Sequence, residues 1–139
     1  MMDDIAEVLA ANQAFYSAFA AGDMAKMAAV WAERAPVACA HPGAPLLVGR
    51  ETVLDSWQGI LSAPERPDIL CFSAQAHLLG AVAYVTCYER LGGQTGATLL
   101  ATNIFAREGG RWRMAHHHAS PTPVSPPSGA DAGHGQVLH

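Results

Sequence analysis

The sequence predicts an α+β fold in which three N-terminal helices pack on a strongly curved antiparallel sheet. In the first half of the chain, apolar residues recur at intervals of three and four, the spacing of amphipathic helices. The second half instead contains four apolar segments of strand length, separated by glycine-rich turns. Helices followed by a sheet are typical of domains whose helices cover one sheet face. The 139 residues suit one such domain.

The first helix is predicted over residues 3–21. Asp3 and Asp4 stand where a helix N-terminus favours acidic side chains, and Gly22 stands where a helix commonly ends. One apolar stripe runs between these ends, formed by Ile5, Val8, Leu9, Phe15, Tyr16 and Phe19.

Two more helices flank a short strand. Asp23 can cap the second helix, MAKMAAVWAE, which Pro36 ends. The strand VACAHPG is broken by its own Pro-Gly turn, and the third helix occupies RETVLDSWQGILSA until Pro64 closes it.

Four strands follow, and we expect them to form an antiparallel meander: ILCFSAQAHLLG, AVAYVTCYERLGG, ATLLATNIFAREGG and RWRMAHHHAS. After Ser120 the chain is rich in Pro, Gly and Ser and poor in bulky apolar residues, so it cannot offset the entropy of ordering. We therefore expect one domain over residues 1–121 and a flexible tail over residues 122–139.

The composition restricts the partners. Half of the residues are hydrophobic and 14% are charged, which favours an oligomer or an apolar cavity over a fully solvated monomer. The net charge of −4, with 8 basic residues, argues against nucleic acid or an anionic membrane as a partner. No nucleophile elbow, phosphate loop or dinucleotide fingerprint occurs in the sequence.

The location is expected to be cytoplasmic. The N-terminus opens acidic, unlike a signal peptide, and no apolar run approaches the roughly 20 residues of a membrane span. Cys39, Cys71 and Cys87 form no C-x-x-C pair, so we interpret them as buried apolar residues in a reducing compartment, with a reactive thiol as the alternative.

The order of elements, together with three segments, resembles the SnoaL-like and ketosteroid-isomerase-like branch of the nuclear transport factor two (NTF2-like) superfamily. The segments are FYSAFAAGDMAKMAAVWAE, HPGAPLLVGRETVLDSW and NIFAREGGRWRMAHHHASP. The last also resembles the closing strands of the association domain of calmodulin-dependent protein kinase. The resemblance implies a cone, in which the sheet wraps around the first helix and leaves an internal cavity. It also implies a homodimer through the outer face of the sheet.

The resemblance places His41 at the position where ketosteroid isomerases hold their general-base aspartate, directly before a proline. An imidazole can accept a proton near neutral pH. The other isomerase groups are missing, since the oxyanion tyrosine falls at about Phe15, beside Tyr16, and the oxyanion aspartate falls near Thr102 or Asn103. The pocket arginines of the kinase domain align with Thr86, Asn103 and Ala119, so a carboxylate pocket of that kind is not expected.

Two candidate catalytic residues follow, each with an alternative. His41 is either a general base or a hydrogen-bonding anchor of the Pro-Gly turn. Glu89 is either a proton acceptor in the cavity, which could also orient an imidazole, or an outward partner of Arg90 or Arg107.

The run His116-His117-His118 is a possible metal site. However, adjacent strand residues face opposite sides of a sheet, and no acidic or cysteine cluster lies nearby in the sequence. We expect no metal and no cofactor. By alternation, His116 and His118 share a face with Trp112 and Met114, and one of the two histidines is expected to contact the ligand.

The remaining candidate contacts are mostly apolar. Aromatic residues pack either in the core or on a pocket wall, and a buried amide must find hydrogen bonds either in the protein or from a ligand. The aromatic candidates are Tyr16, Trp31, Trp57 and Phe72, and the polar ones are Thr86 and Asn103.

We therefore expect a cavity that binds a small apolar or amphipathic molecule. If it is catalytic, the chemistry is cofactor-free proton transfer of the isomerase, cyclase or dehydratase type, with His41 as base. The alternative is a non-catalytic dimerisation or binding module of the same fold.

Overall fold

The computed structural model describes residues 3–92 and 97–123. Its helices are α1 (Asp4–Ala21), α2 (Met24–Val30) and α3 (Arg50–Leu61), and its strands are β1 (Ala38–Ala40), β2 (Leu46–Val48), β3 (Ile69–Leu79), β4 (Val82–Leu91), β5 (Thr98–Glu108) and β6 (Arg111–Pro121). The predicted α+β architecture is confirmed. The predicted tail from residue 124 onward lies outside the described residues.

Short polar side chains begin the first two helices, as the sequence predicted. Asp3 accepts a hydrogen bond from the Ala6 amide at 2.8 Å, and Asp23 accepts one from the Lys26 amide at 3.0 Å. Gly22 ends α1 in the left-handed conformation, with φ of 65°. No helix among the described residues is long and apolar enough to cross a membrane.

The second helix ends earlier than predicted. It stops at Val30, and Trp31 adopts an extended conformation that forms a bridge with Met114 of β6. The Arg50 guanidinium at the start of α3 donates to the carbonyls of Trp31 at 2.7 Å and Ala32 at 3.0 Å. This contact holds α3 against the end of α2.

The sheet order is β2-β1-β6-β5-β4-β3, so β3 to β6 form the predicted antiparallel meander. The short strand β1 pairs parallel with β6, which places Cys39 beside His117. The three-residue strand β2 was not predicted. It pairs antiparallel with β1, and it is too short to show a periodic pattern.

Two bulges interrupt the meander. One lies in β3 between Phe72 and Gln75, where Ser73 has a positive φ of 56°. The other lies in β6, where Ile104 pairs with His116 but Phe105 pairs with Met114. A bulge bends its strand and shifts the alternation of side chains, so both contribute to the curvature of the sheet.

The bulge in β6 overturns one prediction. Trp112 and Met114 were expected to share a face with His116 and His118, but the extra residue moves these two histidines to the opposite face. His117 takes the inward position instead and is 4% exposed.

The core lies between α1 and the inner face of the sheet, which is the face that contacts α1. Burying a large apolar side chain there stabilises the fold by about 1.5–3 kcal/mol. The largest fully buried side chains are Trp31, Phe15, Phe105, Met27 and Met114.

Candidate functional site

Five polar side chains lie within this apolar core, and all are at least nine-tenths buried. Two come from α1 and the others come from strands β4, β5 and β6. We call them the polar cluster: Asn12, Tyr16, Glu89, Asn103 and His117.

Local geometry explains their convergence. Asn12 and Tyr16 are four residues apart, so they share one face of α1. Asn103 pairs directly with His117, and directly paired residues point to the same side of a sheet. Glu89 follows Cys87 at the spacing of two that keeps side chains on one face.

Hydrogen bonds join the polar cluster. The Tyr16 hydroxyl donates to Glu89 Oε2 at 2.5 Å. Asn103 Nδ2 donates to Asn12 Oδ1 at 2.8 Å and to the Tyr16 oxygen at 3.2 Å. His117 Nδ1 lies 2.6 Å from Asn103 Oδ1, and its Nε2 lies 3.9 Å from Glu89 Oε2. Every member of the cluster is therefore connected to the Glu89 carboxyl group.

Burial sets the protonation of the cluster. It raises the pKa of Glu89, although the hydrogen bond from Tyr16 opposes the increase. Burial, assisted by His41, His116 and His118, lowers the pKa of His117 to about 3. At neutral pH the imidazole of His117 is therefore uncharged, and the Glu89 carboxyl group holds its proton more tightly than an exposed glutamate does.

Glu89 thus adopts the inward alternative of the two that the sequence left open. Its predicted outward partners are occupied elsewhere, since Arg107 pairs with Asp4 at 2.6 Å and the Arg90 guanidinium lies over the Phe72 ring at 4.8 Å. Among residues 3–92 and 97–123, His117 is the one basic side chain within 4.0 Å of Glu89.

His41 is half-buried at the end of β1. Its Nε2 lies 2.8 Å from Ser56 Oγ on α3, and its ring meets the edge of Trp57 at 4.9 Å. Burial lowers its pKa. The hydrogen bond to Ser56 ties the end of β1 to α3, as the anchor alternative expects. The Trp57 ring lies near both His41 and His117, with its centroid 4.9 Å from the first ring and 6.3 Å from the second.

Trp31 and Trp57 are buried in the core. Phe15 joins them, with its ring centroid 6.4 Å from that of Trp31 and 5.3 Å from that of Trp57. Among the described residues, the indole nitrogen of Trp31 is buried without a hydrogen-bond partner, whereas Trp57 donates a side-chain hydrogen bond to Cys39 that lowers the pKa of this thiol against the effect of burial. Their side chains occupy the inside of the sheet between α1 and α3.

The other predicted contacts lie on the outer face of the sheet, which points away from α1. Thr86 pairs with Thr102, which in turn pairs with the exposed His118. Phe72 stacks on Tyr88 at 5.7 Å on the same face. Thr86, Phe72, His116 and His118 therefore lie on the opposite side of the sheet from the polar cluster.

Two members of the polar cluster, Asn12 and His117, were not predicted from the sequence. Asn12 falls within the apolar stripe of α1, one turn before Tyr16, and a polar residue at such a position is a signal that could have been found. His117 could not be chosen over its neighbours because the bulge that turns it inward leaves no mark in the residue types.

Cys39 and Cys71 have little thiolate character. Burial raises the pKa of Cys39 to about 12, and Cys71 is shifted upward chiefly by its hydrogen bond with Cys87, together with burial. Cys39 and Cys87 are buried and Cys71 is half-buried, all as free thiols. In the part of the chain that the structure describes, no group of three or more His, Cys, Asp or Glu side chains is arranged to hold a metal ion.

An open groove of about 680 Å³ lies on the other side of α1 from the polar cluster. Its lining includes small residues of α1 and α2, namely Ala10, Ala14 and Ala29, together with the basic side chains of Lys26 and Arg111. This groove was not predicted from the sequence.

Sequence and structure comparisons agree with the fold. A family model described as the SnoaL-like domain matches residues 8–125. The F-box protein SKIP8 of Arabidopsis thaliana is 29% identical over 113 residues, covering 81% of this chain and 48% of that protein. The chain therefore spans about half the length of this curated relative.

Two solved structures are similar over most of their length. One, from Streptomyces avermitilis, is described as a provisional dehydratase of the NTF2-like family. It is 34% identical, with a TM-score of 0.78, and covers 87% of this chain and 97% of that one. The other, from Thiobacillus denitrificans, is described as a provisional association domain of calcium/calmodulin-dependent protein kinase type II. It is 37% identical, with a TM-score of 0.72, and the match covers 82% of this chain and 94% of that one. The chain thus belongs to the SnoaL-like domain family of NTF2-like proteins.

Proposed function

We propose that the inside of the sheet binds a small uncharged molecule and that Glu89 exchanges a proton with it without a cofactor. The observation that carries this proposal is a buried carboxyl group that accepts a hydrogen bond from Tyr16 and faces a neutral imidazole. A carboxyl group whose pKa is raised toward the working pH is suited to give and take protons. Perturbed ionisable groups also concentrate at functional sites.

Glu89 and Tyr16 have different roles in the proposed proton transfer. Glu89 is the proton acceptor and donor, and Tyr16 stabilises its carboxylate form by donating a hydrogen bond. His41, the base first predicted, is a second proton acceptor in the proposal. Its Nε2 contacts Ser56 Oγ at 2.8 Å and the ring is not part of the polar cluster, so we take Glu89 as the first candidate.

The charge of the site indicates the class of substrate. Arg50 and Arg66 cap the ends of α2 and α1, and Arg107 pairs with Asp4, so these guanidinium groups are engaged away from Glu89. Among the described residues, a carboxylate or phosphate brought next to Glu89 would meet no cationic side chain, which is costly in a buried site. We infer an uncharged ligand with a carbonyl or hydroxyl group. A dehydratase type of step, as named for the Streptomyces relative, suits this class.

A thermal-shift screen tests this proposal. The probes are small enones, ketones and hydroxylated aromatic compounds, each paired with its carboxylate analogue, on wild type and Glu89→Gln. Thr102→Val is the matched control, because Thr102 lies on the outer face. We expect uncharged compounds to raise the Tm of wild type and of the control more than that of Glu89→Gln, since a ligand of the native state stabilises it. Stabilisation by the carboxylates alone, or by no compound, would refute the proposal.

A second function, self-association through the outer face, is favoured by the apolar residues on that face. Leu70 is 57% exposed, Leu79 63% and Leu100 43%. Large exposed apolar patches mark interaction sites, and the Thiobacillus relative is described as an association domain. We propose a homodimer whose partner covers this face, which is compatible with ligand binding on the inner face.

A further inference from the structure

Asn103 lies at the centre of the polar cluster and is 0% exposed. It contacts two side chains of α1, the sulfur of Cys87 on β4 at 3.9 Å and one side chain of β6, so its amide joins the helix to the sheet. Its hydrogen bonds differ in direction, and the directions determine which nitrogen of a neighbouring imidazole carries a proton.

The amide nitrogen of Asn103 donates to two oxygens on the α1 side and has a longer contact with Cys87 Sγ at 3.9 Å. The Tyr16 hydroxyl gives its own proton to Glu89, so its oxygen is free to accept from Asn103 Nδ2 at 3.2 Å. The second proton goes to Asn12 Oδ1 at 2.8 Å. Asn12 fits this arrangement because its own Nδ2 points to the sulfur of Cys71 at 3.8 Å.

The carbonyl oxygen of Asn103 is therefore the group that faces His117. Asn103 Oδ1 lies 2.6 Å from His117 Nδ1, and a carbonyl oxygen can only accept. Nδ1 must then carry the proton. Because a neutral imidazole has one N–H, His117 Nε2 is left with a free lone pair, and it faces Glu89 Oε2 at 3.9 Å.

We propose that Asn103 is a positioning residue that holds His117 in the Nδ1–H tautomer and thereby makes Nε2 the hydrogen-bond acceptor for protonated Glu89. This inference rests on the proposed function of Glu89. When Glu89 takes a proton from the substrate, the C–H bond breaks, its electron pair stays on the substrate, and an Oε2–H bond forms. This new O–H donates to His117 Nε2 after the two atoms approach by about 1 Å, while Oε2 still accepts from Tyr16.

The opposite arrangement has a distinct signature. If the amides of Asn12 and Asn103 were both turned, Asn103 Nδ2 would donate to His117 Nδ1, and the proton of the imidazole would lie on Nε2. His117 would then donate to the Glu89 carboxylate and could not accept from its protonated form.

Nitrogen NMR of protein labelled with ¹⁵N-histidine distinguishes the two tautomers without any substrate. For wild type at neutral pH, we expect His117 to show a protonated Nδ1 and an unprotonated Nε2, with assignment from the signals that His117→Gln removes. Asn103→Leu should lose the preference for Nδ1–H. Asn103→Asp, which keeps an acceptor oxygen, should retain it, and Thr102→Val should leave the spectrum of His117 unchanged.

A wild-type His117 with its proton on Nε2 overturns the proposal, and so does a folded Asn103→Leu that keeps the Nδ1–H signal. If Asn103→Leu does not fold, the spectra of wild type and Asn103→Asp test the proposal. Loss of the Nδ1–H signal in Asn103→Asp would contradict the role of the acceptor oxygen. The result of this tautomer measurement does not depend on whether Glu89 exchanges a proton with a substrate. An Nδ1–H tautomer in a protein that binds no compound retains the positioning role and removes the reaction.

Discussion

The Tyr16 hydroxyl lies 2.5 Å from Glu89 Oε2, and these two side chains are 4% and 2% exposed. This hydrogen bond joins the long helix to the fourth strand at the point where the core contains a carboxyl group. Burial and the neighbouring Cys87 and Glu89 raise the pKa of Tyr16 well above its usual value, so the hydroxyl keeps its proton and remains a donor.

Tyr16→Phe removes that donor and leaves the ring in place. Because the hydrogen bond lowers the pKa of Glu89 against the effect of burial, the variant should raise the Glu89 pKa further. It should also destabilise the protein by about 1–3 kcal/mol, the usual cost of leaving a buried polar group without its partner. Urea unfolding at neutral pH measures the loss, and an unchanged midpoint would contradict the prediction.

Glu89→Gln should change how stability depends on pH. The native pKa of Glu89 is above its reference value of 4.5, so the stabilising contribution of its protonated form is complete below 4.5. It is lost as pH rises through the native pKa. We expect the free energy of unfolding of the variant, relative to wild type, to increase over this window. A difference that stays constant with pH would show that Glu89 titrates alike in both states.

The contribution of His117 to stability should depend on pH in the opposite direction from that of Glu89. Its native pKa of about 3 lies below the reference value of 6.5, so its contribution to stability is complete above pH 6.5. It is lost as pH falls toward 3. NMR should show that the His117 ring stays neutral through this window in folded protein and titrates near 6.5 in urea. A folded-state midpoint near 6.5 is the contrary result.

His41 and Ser56 should be coupled in stability. Their hydrogen bond of 2.8 Å ties the end of β1 to α3, and a typical bond of this kind contributes about 0.5–1.5 kcal/mol. We expect His41→Ala to cost more than Ser56→Ala because it also removes the ring packed on Trp57. A double-mutant cycle measures the coupling. Strictly additive losses would remove the anchor role of His41.

An acidic residue on the outer face should disrupt self-association. Leu100→Glu places a charge at an exposed apolar position of β5, where a partner would have to bury it. Ile5→Glu on α1, which is 36% exposed, is the matched control. Analytical ultracentrifugation should find dimers of wild type and control and monomers of Leu100→Glu. Equal masses for all three proteins would exclude this face as the interface.

Local patterns were sufficient to predict most of the architecture. The start of α1 at Asp3, its end at Gly22 and the meander from β3 to β6 each follow from residue types within a few positions. The strand β2 and the parallel pairing of β1 with β6 depend on contacts between distant segments, and the sequence carries no periodic signal for them.

The candidate site was predicted less completely. Asn103 was identified because a buried amide in an apolar strand requires a partner. Glu89 was identified as an acid within the strand segments, and Tyr16 as an aromatic residue beside the position of the oxyanion tyrosine. The choice of His116 or His118 over His117 was wrong about direction because strict alternation holds only without a bulge. His41 was chosen through the resemblance, and its hydrogen bond with Ser56 depends on where α3 packs.

The central claim is that Glu89 exchanges a proton with an uncharged carbonyl compound. Its most direct test is the rate at which the proton next to the carbonyl group exchanges for deuterium in D₂O. This rate is measured by ¹H NMR for the compounds that raise the Tm of wild type. The account predicts that wild type and Thr102→Val accelerate this exchange and that Glu89→Gln slows it by about 10²-fold or more, the usual contribution of a general base. Equal exchange rates with wild type and Glu89→Gln would contradict it.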